Sequence, residues 1–445
     1  MFRIITDIIN PFFFHDILFD VSLKKGILLT YQSGSIIMKK IVRKSSTLIL
    51  LFCGIVALSF LYVSSKADEK SAKTPAGISL FKKPLVQRDY WPTGEWKVKT
   101  PGNAGMNSKI LKKMETYAFT RTGPESERKG IRTDGVVIIK NGYLVFEKYA
   151  GGFTRDMVHI TWSDSKSFTN ALFGIAVREG RLKLDEPAWK YYPSLNRGRH
   201  KEITIDHLMR MSSGLYSNET YEASPIKSTV NAMLFTVGHR DMAAYAASQE
   251  LEADPGTKWE YASPTPNLLM AILKKTMSAD EYERYPWDRL FNVIGMKKVV
   301  WERDAAGTFV GSSYVYTSPR DMARFGYLFL NDGIWNGKRL LPEGWVSYST
   351  SIAPAYYLTE LSEKEQKDPA YGALWWLNRD VPEKNLPRAY PDAPADTFIA
   401  MGHWGQFIFV IPSLDMVVVY TGDNRDKSFD INTFLKLIIE SINKR

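Results

Sequence analysis

Ser163-Asp164-Ser165-Lys166-Ser167-Phe168-Thr169 sets a lysine three residues after a serine at the start of the helical run 163–179. Residues three apart share one helix face, so this spacing brings the Lys166 side chain to the Ser163 hydroxyl. A serine alcohol is a weak nucleophile at neutral pH and needs an adjacent base. The helix N-terminus adds a favourable field and unpaired N–H groups for a developing oxyanion. The spacing alone is not specific, since Ser-x-x-Lys recurs at Ser22, Ser79, Ser126, Ser224 and Ser441. Only Ser163 opens a long amphipathic helix, with Phe168, Leu172 and Ile175 on one face and Gly180 as its stop.

A base or proton relay must complete the pair. Tyr261, in Pro255-Gly256-Thr257-Lys258-Trp259-Glu260-Tyr261-Ala262-Ser263, stands just before the helical run 267–275. Nearby ammonium groups are expected to lower its phenol pKa enough to accept the serine proton. Most of the 23 tyrosines serve packing, and Tyr216-Ser217-Asn218 rivals Tyr261 by pattern. His403-Trp404-Gly405 is the third element, with glycines at 402 and 405 that permit close backbone approach. The strand 407–411 that follows is read as an edge strand aiming a backbone N–H at a substrate carbonyl. Trp375-Trp376 is either a pocket wall or core.

Around these elements, 106–122 reads as a helix. Runs 135–139 and 143–149 flank Lys140-Asn141-Gly142, a type I′ hairpin signal. Helical patterns such as 205–211 and 241–249 dominate the middle. A second hairpin, 407–411 and 415–420, surrounds Pro412-Ser413-Leu414, and a last helix carries Phe434, Leu435, Ile438 and Ile442. The pattern gives an α/β (α+β) fold, in which both chain ends build one antiparallel sheet flanked by helices and a helical lobe is inserted between them. The ligand site is expected in the crevice between sheet and lobe, walled by loops such as 216–230 and 350–372.

Composition narrows the chemistry. The chain has 445 residues and net charge +10; residues 1–67 hold eight Lys/Arg and three Asp/Glu, leaving +5 for the rest. Basic and acidic residues alternate there, so no nucleic-acid partner is expected. The single cysteine, Cys53, lies in an apolar N-terminal segment, so the globular part has no disulfide or thiol nucleophile. The six histidines show no metal-ligand spacing, and there is no Gly-x-Ser-x-Gly elbow, Walker loop or dinucleotide fingerprint. No metal or cofactor is expected.

A basic stretch from Met38 to Lys44 precedes the apolar run 47–63 and the small-residue site Ser64-Ser65-Lys66-Ala67. This reads as a signal peptide over 38–67, with an anchor attaching the protein to a membrane through 47–63 as the alternative. The expected location is periplasmic or extracellular. Residues 1–37 read as an upstream extension, with Met38 as the start, and 68–104 as a linker or extended arm.

Taken in order, these pieces resemble the serine β-lactamase and penicillin-binding superfamily, on the branch of class C β-lactamases, esterases and 6-aminohexanoate-dimer hydrolases. The likeness covers about residues 105–442 and makes 105–445 the serine hydrolase domain. It also rests on the segment 203–215, Ile203 to Leu215, and on Arg320-Asp321-Met322-Ala323-Arg324-Phe325-Gly326. The resemblance implies Ser163 as the acylated nucleophile, Lys166 as its activator, Tyr261 as the second-motif tyrosine and His403 with Gly405 as the third motif. It implies an oxyanion hole from the backbone N–H groups of Ser163 and Gln406. Two departures bear on substrate. Ser263 stands where β-lactamases and cell-wall peptidases usually carry asparagine, a pattern closer to the aminohexanoate-dimer hydrolases. His403 replaces the third-motif lysine, with bulky Trp404 after it, and an ordinary imidazole is largely neutral at pH 7. The expectation is hydrolysis of a small amide, ester or peptide, with Ser263, Trp404 and Gly405 contacting substrate. The alternatives are a D-Ala-D-Ala carboxypeptidase or β-lactamase, and a non-catalytic sensor of peptides or peptidoglycan.

Overall fold

The turn at Asn141-Gly142 closes as its dipeptide requires. Both residues take left-handed backbone, φ 52° and 83°, the geometry whose twist matches the flanking strands. It joins β1 (Thr133–Lys140) to β2 (Tyr143–Tyr149). In the computed structural model, the described residues are 86–443 together with a short antiparallel hairpin, Leu29–Gln32 against Ser35–Met38. The chain divides into two units, Met1–Lys73 and Thr74–Arg445. The hairpin is the described part of the first unit, and the apolar run 47–63 lies outside the described residues. No helix among the described residues is long and apolar enough to cross a membrane.

The C-terminal part of the second unit adds β3 (Ala370–Tyr371), β4 (Trp376–Leu377), β5 (Phe398–Gly402), β6 (Gln406–Ile411) and β7 (Met416–Gly422). The strands form one antiparallel sheet in the order β3-β4-β5-β6-β7-β1-β2, so both ends of the domain build it. Side chains alternate across it. Val137, Ile139, Ile408, Val410, Val417 and Val419 face one core, while Val136, Ile138, Phe409, Ile411 and Val418 face another. The second core is closed by α1 (Ser108–Phe119) and α5 (Ile431–Glu440), through Leu111, Met114, Phe434, Leu435 and Ile438. The first is closed by α2 (Ser165–Arg178), α3 (Pro264–Lys274) and α4 (Pro319–Leu330).

Three sequence expectations change. Strand β6 is interior, paired to β5 on one side and β7 on the other, so the edge-strand reading of 407–411 is wrong. The run 398–402, short and preceded by a proline-rich loop, supplies the neighbour that the pattern did not reveal. Helix α2 is not amphipathic; it is buried continuously from Ser165 to Ala176. Its polar side chains are satisfied inside the domain, as Ser167 Oγ donates to Leu374 O (2.8 Å) and Asn170 Nδ2 to Ala373 O (2.8 Å). A small side sheet, Val299–Trp301 and His159–Ile160 on either side of Val315–Thr317, rests on strands too short to show a period.

The segment expected as an arm is described from residue 86. There Trp96 is buried in the first core, and Arg88 pairs with Asp415 at 2.6 Å. Arg324 of α4 holds this segment by donating to Pro92 O (2.7 Å) and Gly94 O (2.6 Å), and pairs with Asp321 at 2.7 Å. The 320–326 motif is therefore structural. So is much of 203–215, where Thr204 Oγ accepts from His207 N (3.1 Å) to cap a short helix.

Candidate active site

Ser163 sits in the single turn Trp162–Asp164 that leads into α2, rather than in the helix proper. Trp162 before it has φ 47°, strained backbone for a bulky residue of a kind that gathers at functional sites. Lys166, on the first turn of α2, is 1% exposed. Its Nζ meets Ser163 Oγ at 2.8 Å, Ser263 Oγ at 3.1 Å and the Ser312 carbonyl oxygen at 3.2 Å. Burial pulls the lysine down to about 8, against the opposing pull of Glu219 and Asp164.

Ser263 is fully buried at the N-terminus of α3, where Pro264 occupies the first helical position. Its neighbour in space is a residue that the sequence reading missed. Glu219 accepts two hydrogen bonds from Ser263, one from the backbone N–H (2.5 Å) and one from the hydroxyl (3.0 Å). Burial pushes this carboxyl up, opposed first by Lys166 and then by the Ser263 bonds. Both shifts have one cause, since burial favours the uncharged form of each partner.

The bond directions have a chemical consequence. With its proton drawn to Glu219, Ser263 Oγ can only accept from Lys166, and the Ser312 carbonyl can only accept. Two N–H bonds of a neutral Lys166 amine are thereby occupied, and its lone pair is left facing Ser163 Oγ. Glu219 thus orients the base without touching the nucleophile. Glu219→Gln is expected to lower kcat/KM about 10- to 100-fold, the loss of one charge-assisted hydrogen bond worth about 1.5–3 kcal/mol. Removing the carboxylate also removes its upward pull on Lys166, so the rising, acidic limb of the pH–rate profile should move to lower pH. An unmoved limb would reduce Glu219 to a packing role.

Tyr261 lies beside the pair, its ring centroid 4.8 Å from Lys166 Nζ. The expected lowering of its pKa is reversed. Burial, then the Glu219 charge, push the phenol far above its usual range. Tyr261 is therefore a neutral O–H that can donate or relay a proton, not a tyrosinate base. Trp376 packs on its ring at 5.0 Å, whereas Trp375 is core against Phe329. The rival Tyr216 is exposed.

His403, Trp404 and Gly405 form the turn between β5 and β6. Gly402 shows why no larger residue suits its position, since a Cβ there would lie 2.1 Å from Thr161 O, two residues before the nucleophile. The turn carrying Ser163 thus rests directly on the rim of β5 and β6, where Gln406 begins the second strand. The His403 ring stacks on Tyr221 at 4.9 Å and contacts Trp162 edge-on at 6.0 Å. Burial, then the nearby Glu219 charge, push the Tyr221 phenol up. A connected network runs from Ser163 through Lys166, Ser263, Glu219 and Tyr221 to His403. Glu219 and Tyr221 sit in loop 216–230, flagged as a pocket wall, but no spacing in that loop marks either residue.

Asp164 is fully buried, and neither carboxylate oxygen has a hydrogen-bond partner among the described residues. Burial pushes it well above the usual carboxylate range, against the opposing charge of Lys166.

The β-lactamase family profile matches residues 112–436. The chain belongs to this family. A 6-aminohexanoate-dimer hydrolase of Paenarthrobacter ureafaciens is 26% identical over 296 residues, covering 64% of this chain and 71% of the relative. Among solved structures, a Bacillus anthracis protein provisionally assigned as a 6-aminohexanoate-dimer hydrolase superposes with TM-score 0.59 at 21% identity, over 79% of this chain and 87% of its own. A penicillin-binding protein homologue from Pyrococcus abyssi gives TM-score 0.54 at 18% identity, over 75% and 76%. The antiparallel sheet and the helices that flank it are thus the β-lactamase/transpeptidase fold, and the protein is a member of a serine hydrolase family.

Proposed function

We propose that this protein is an exported serine hydrolase that cleaves a small ester or amide through an acyl-enzyme on Ser163. The observation that carries the reading is the 2.8 Å contact between Ser163 Oγ and a fully buried Lys166 whose pKa is pulled toward neutrality. In the neutral state, Lys166 takes the hydroxyl proton as Ser163 Oγ bonds to the carbonyl carbon. Tyr261, neutral beside both, takes that proton from Lys166 as it gives its own to the leaving alcohol or amine, whose bond to the carbonyl carbon breaks. Backbone N–H groups of Ser163 and Gln406 are the proposed donors to the oxyanion. Water then attacks the acyl carbon, the Ser163 ester bond breaks, and the acid leaves. His403 and Trp404 form the rim against which substrate lies.

Export rests on the basic stretch from Met38 and the apolar run that follows it. The preference for an ester or amide over a β-lactam rests on Ser263 and His403 at the second and third motifs. The test is covalent. The full chain treated with a fluorophosphonate should gain one adduct, mapped by peptide mass to Ser163. An adduct on another residue, or none after prolonged exposure, would overturn the reading.

A further inference from the structure

Beside the nucleophile turn opens a cavity of about 830 Å³, a volume suited to a small organic molecule. Its walls are the rings of Trp162, Trp404 and Tyr221, with Ile226 and Phe235 at the mouth. Ile226 is 98% exposed and Phe235 57%, so the described chain leaves this apolar lip uncovered. The polar lining is sparse and largely committed. Asn231 Nδ2 donates to Tyr221 O (3.1 Å), and Thr236 Oγ1 to Ala232 O (3.2 Å). Among the described residues that line the cavity, none is Asp, Glu, Lys or Arg. Arg425 stacks on the Trp404 ring at 3.9 Å but is not part of the lining.

Position ties the cavity to the reaction. Trp162 precedes Ser163 in the chain, and His403 and Trp404 belong to the strand rim beside it. A group held there is therefore attached close to the scissile bond. A charged group would lose its hydration with no Asp, Glu, Lys or Arg of the described lining to pair with and only Tyr221, Asn231, Thr236 and His403 as polar neighbours, whereas an alkyl or aryl group gains from every methylene removed from water.

We propose that this cavity binds an uncharged apolar portion of the substrate, an alkyl or aryl group adjoining the scissile ester or amide; its role as a substrate subsite rests on the Ser163 hydrolase reading. The substrate class is then neutral and hydrophobic rather than zwitterionic like a linear 6-aminohexanoate dimer.

Binding and turnover test the two readings separately. The full chain carrying Ser163→Ala, which cannot form the acyl-enzyme, would be titrated calorimetrically with N-alkyl acetamides from methyl to octyl and with the linear 6-aminohexanoate dimer. Affinity is expected to rise about three- to fourfold per methylene over several steps, with the dimer binding more weakly than the octyl amide. Phe235→Asp and Ile226→Asp, both at exposed positions, should each flatten that slope. A slope absent in the parent, or a dimer that binds more tightly than the octyl amide, overturns the proposal. In parallel, the intact chain would be assayed on p-nitrophenyl esters from acetate to octanoate and on alkyl acetates of rising alcohol length. A matching rise of kcat/KM in one series supports the subsite. A flat or falling profile in both, with Ser163 still labelled by fluorophosphonate, overturns the subsite and leaves the hydrolase standing. Chain-length-dependent binding without turnover or labelling overturns the hydrolase reading instead.

Discussion

Ser163→Ala is expected to lower kcat for ester hydrolysis by about 10⁴ to 10⁶, the scale seen when a nucleophile is removed from a cooperating constellation. The same variant should abolish fluorophosphonate labelling and keep its thermal midpoint within a few degrees. The small stability effect has a local cause. Ser163 occupies a single turn before α2, and its hydroxyl is one of three hydrogen-bond partners of Lys166. Losing it removes one hydrogen bond, about 1 kcal/mol, and the ammonium keeps Ser263 Oγ and the Ser312 carbonyl. Circular dichroism melts alongside the ester assay separate the two effects. An alanine variant that retains even a tenth of the activity would move the nucleophile elsewhere, with Ser165 and Ser263 the next hydroxyls to test.

The fold was legible where a local signal and a long-range consequence coincide. Asn141-Gly142 fixed one hairpin because only residues tolerant of positive φ close a type I′ turn. The strand run 415–420, observed as Met416–Gly422, was legible because an unbroken apolar run beside a turn marks a buried strand. The segment 398–402 was not, since five residues after a proline-rich loop carry little period. That one omission turned an interior strand into an expected edge. At the site, Ser163, Lys166, Tyr261 and His403 were legible from order along the chain, and the structure gathers them in one place. Glu219 was not, because its place in the network is set by the path of a loop and leaves no spacing to read. The Tyr261 pKa was misjudged for the same reason. Neighbouring cations are visible in sequence, but desolvation and a nearby carboxylate are not.

Lys166→Met tests the proton transfer most directly, at nearly constant side-chain length. It is expected to lower kcat/KM about 10²- to 10⁴-fold, the range supplied by one general base. It should also erase the rising, acidic limb of the profile. In the parent, the competent form is the neutral amine, and burial pulls Lys166 down to about 8. The rate should therefore climb with pH through neutrality and level above about 8, whereas the methionine variant stays flat there. Stability should rise over a different pH window. Below pH 8 both folded and unfolded chains hold the lysine proton, and the folded state bears the cost of a buried ammonium. Between about 8 and 10.5 the unfolded chain retains a proton that the folded chain has shed, so parent stability rises with pH across that window. Methionine has no such proton. The variant is expected to be at least as stable as the parent at pH 7, with its advantage shrinking toward pH 10.5, as chemical denaturation at several pH values would show. A methionine variant that is less stable at pH 7, or a gap that widens as pH rises, would mean that the Lys166 contacts outweigh its desolvation. The buried lysine would then be a structural element first and a base second.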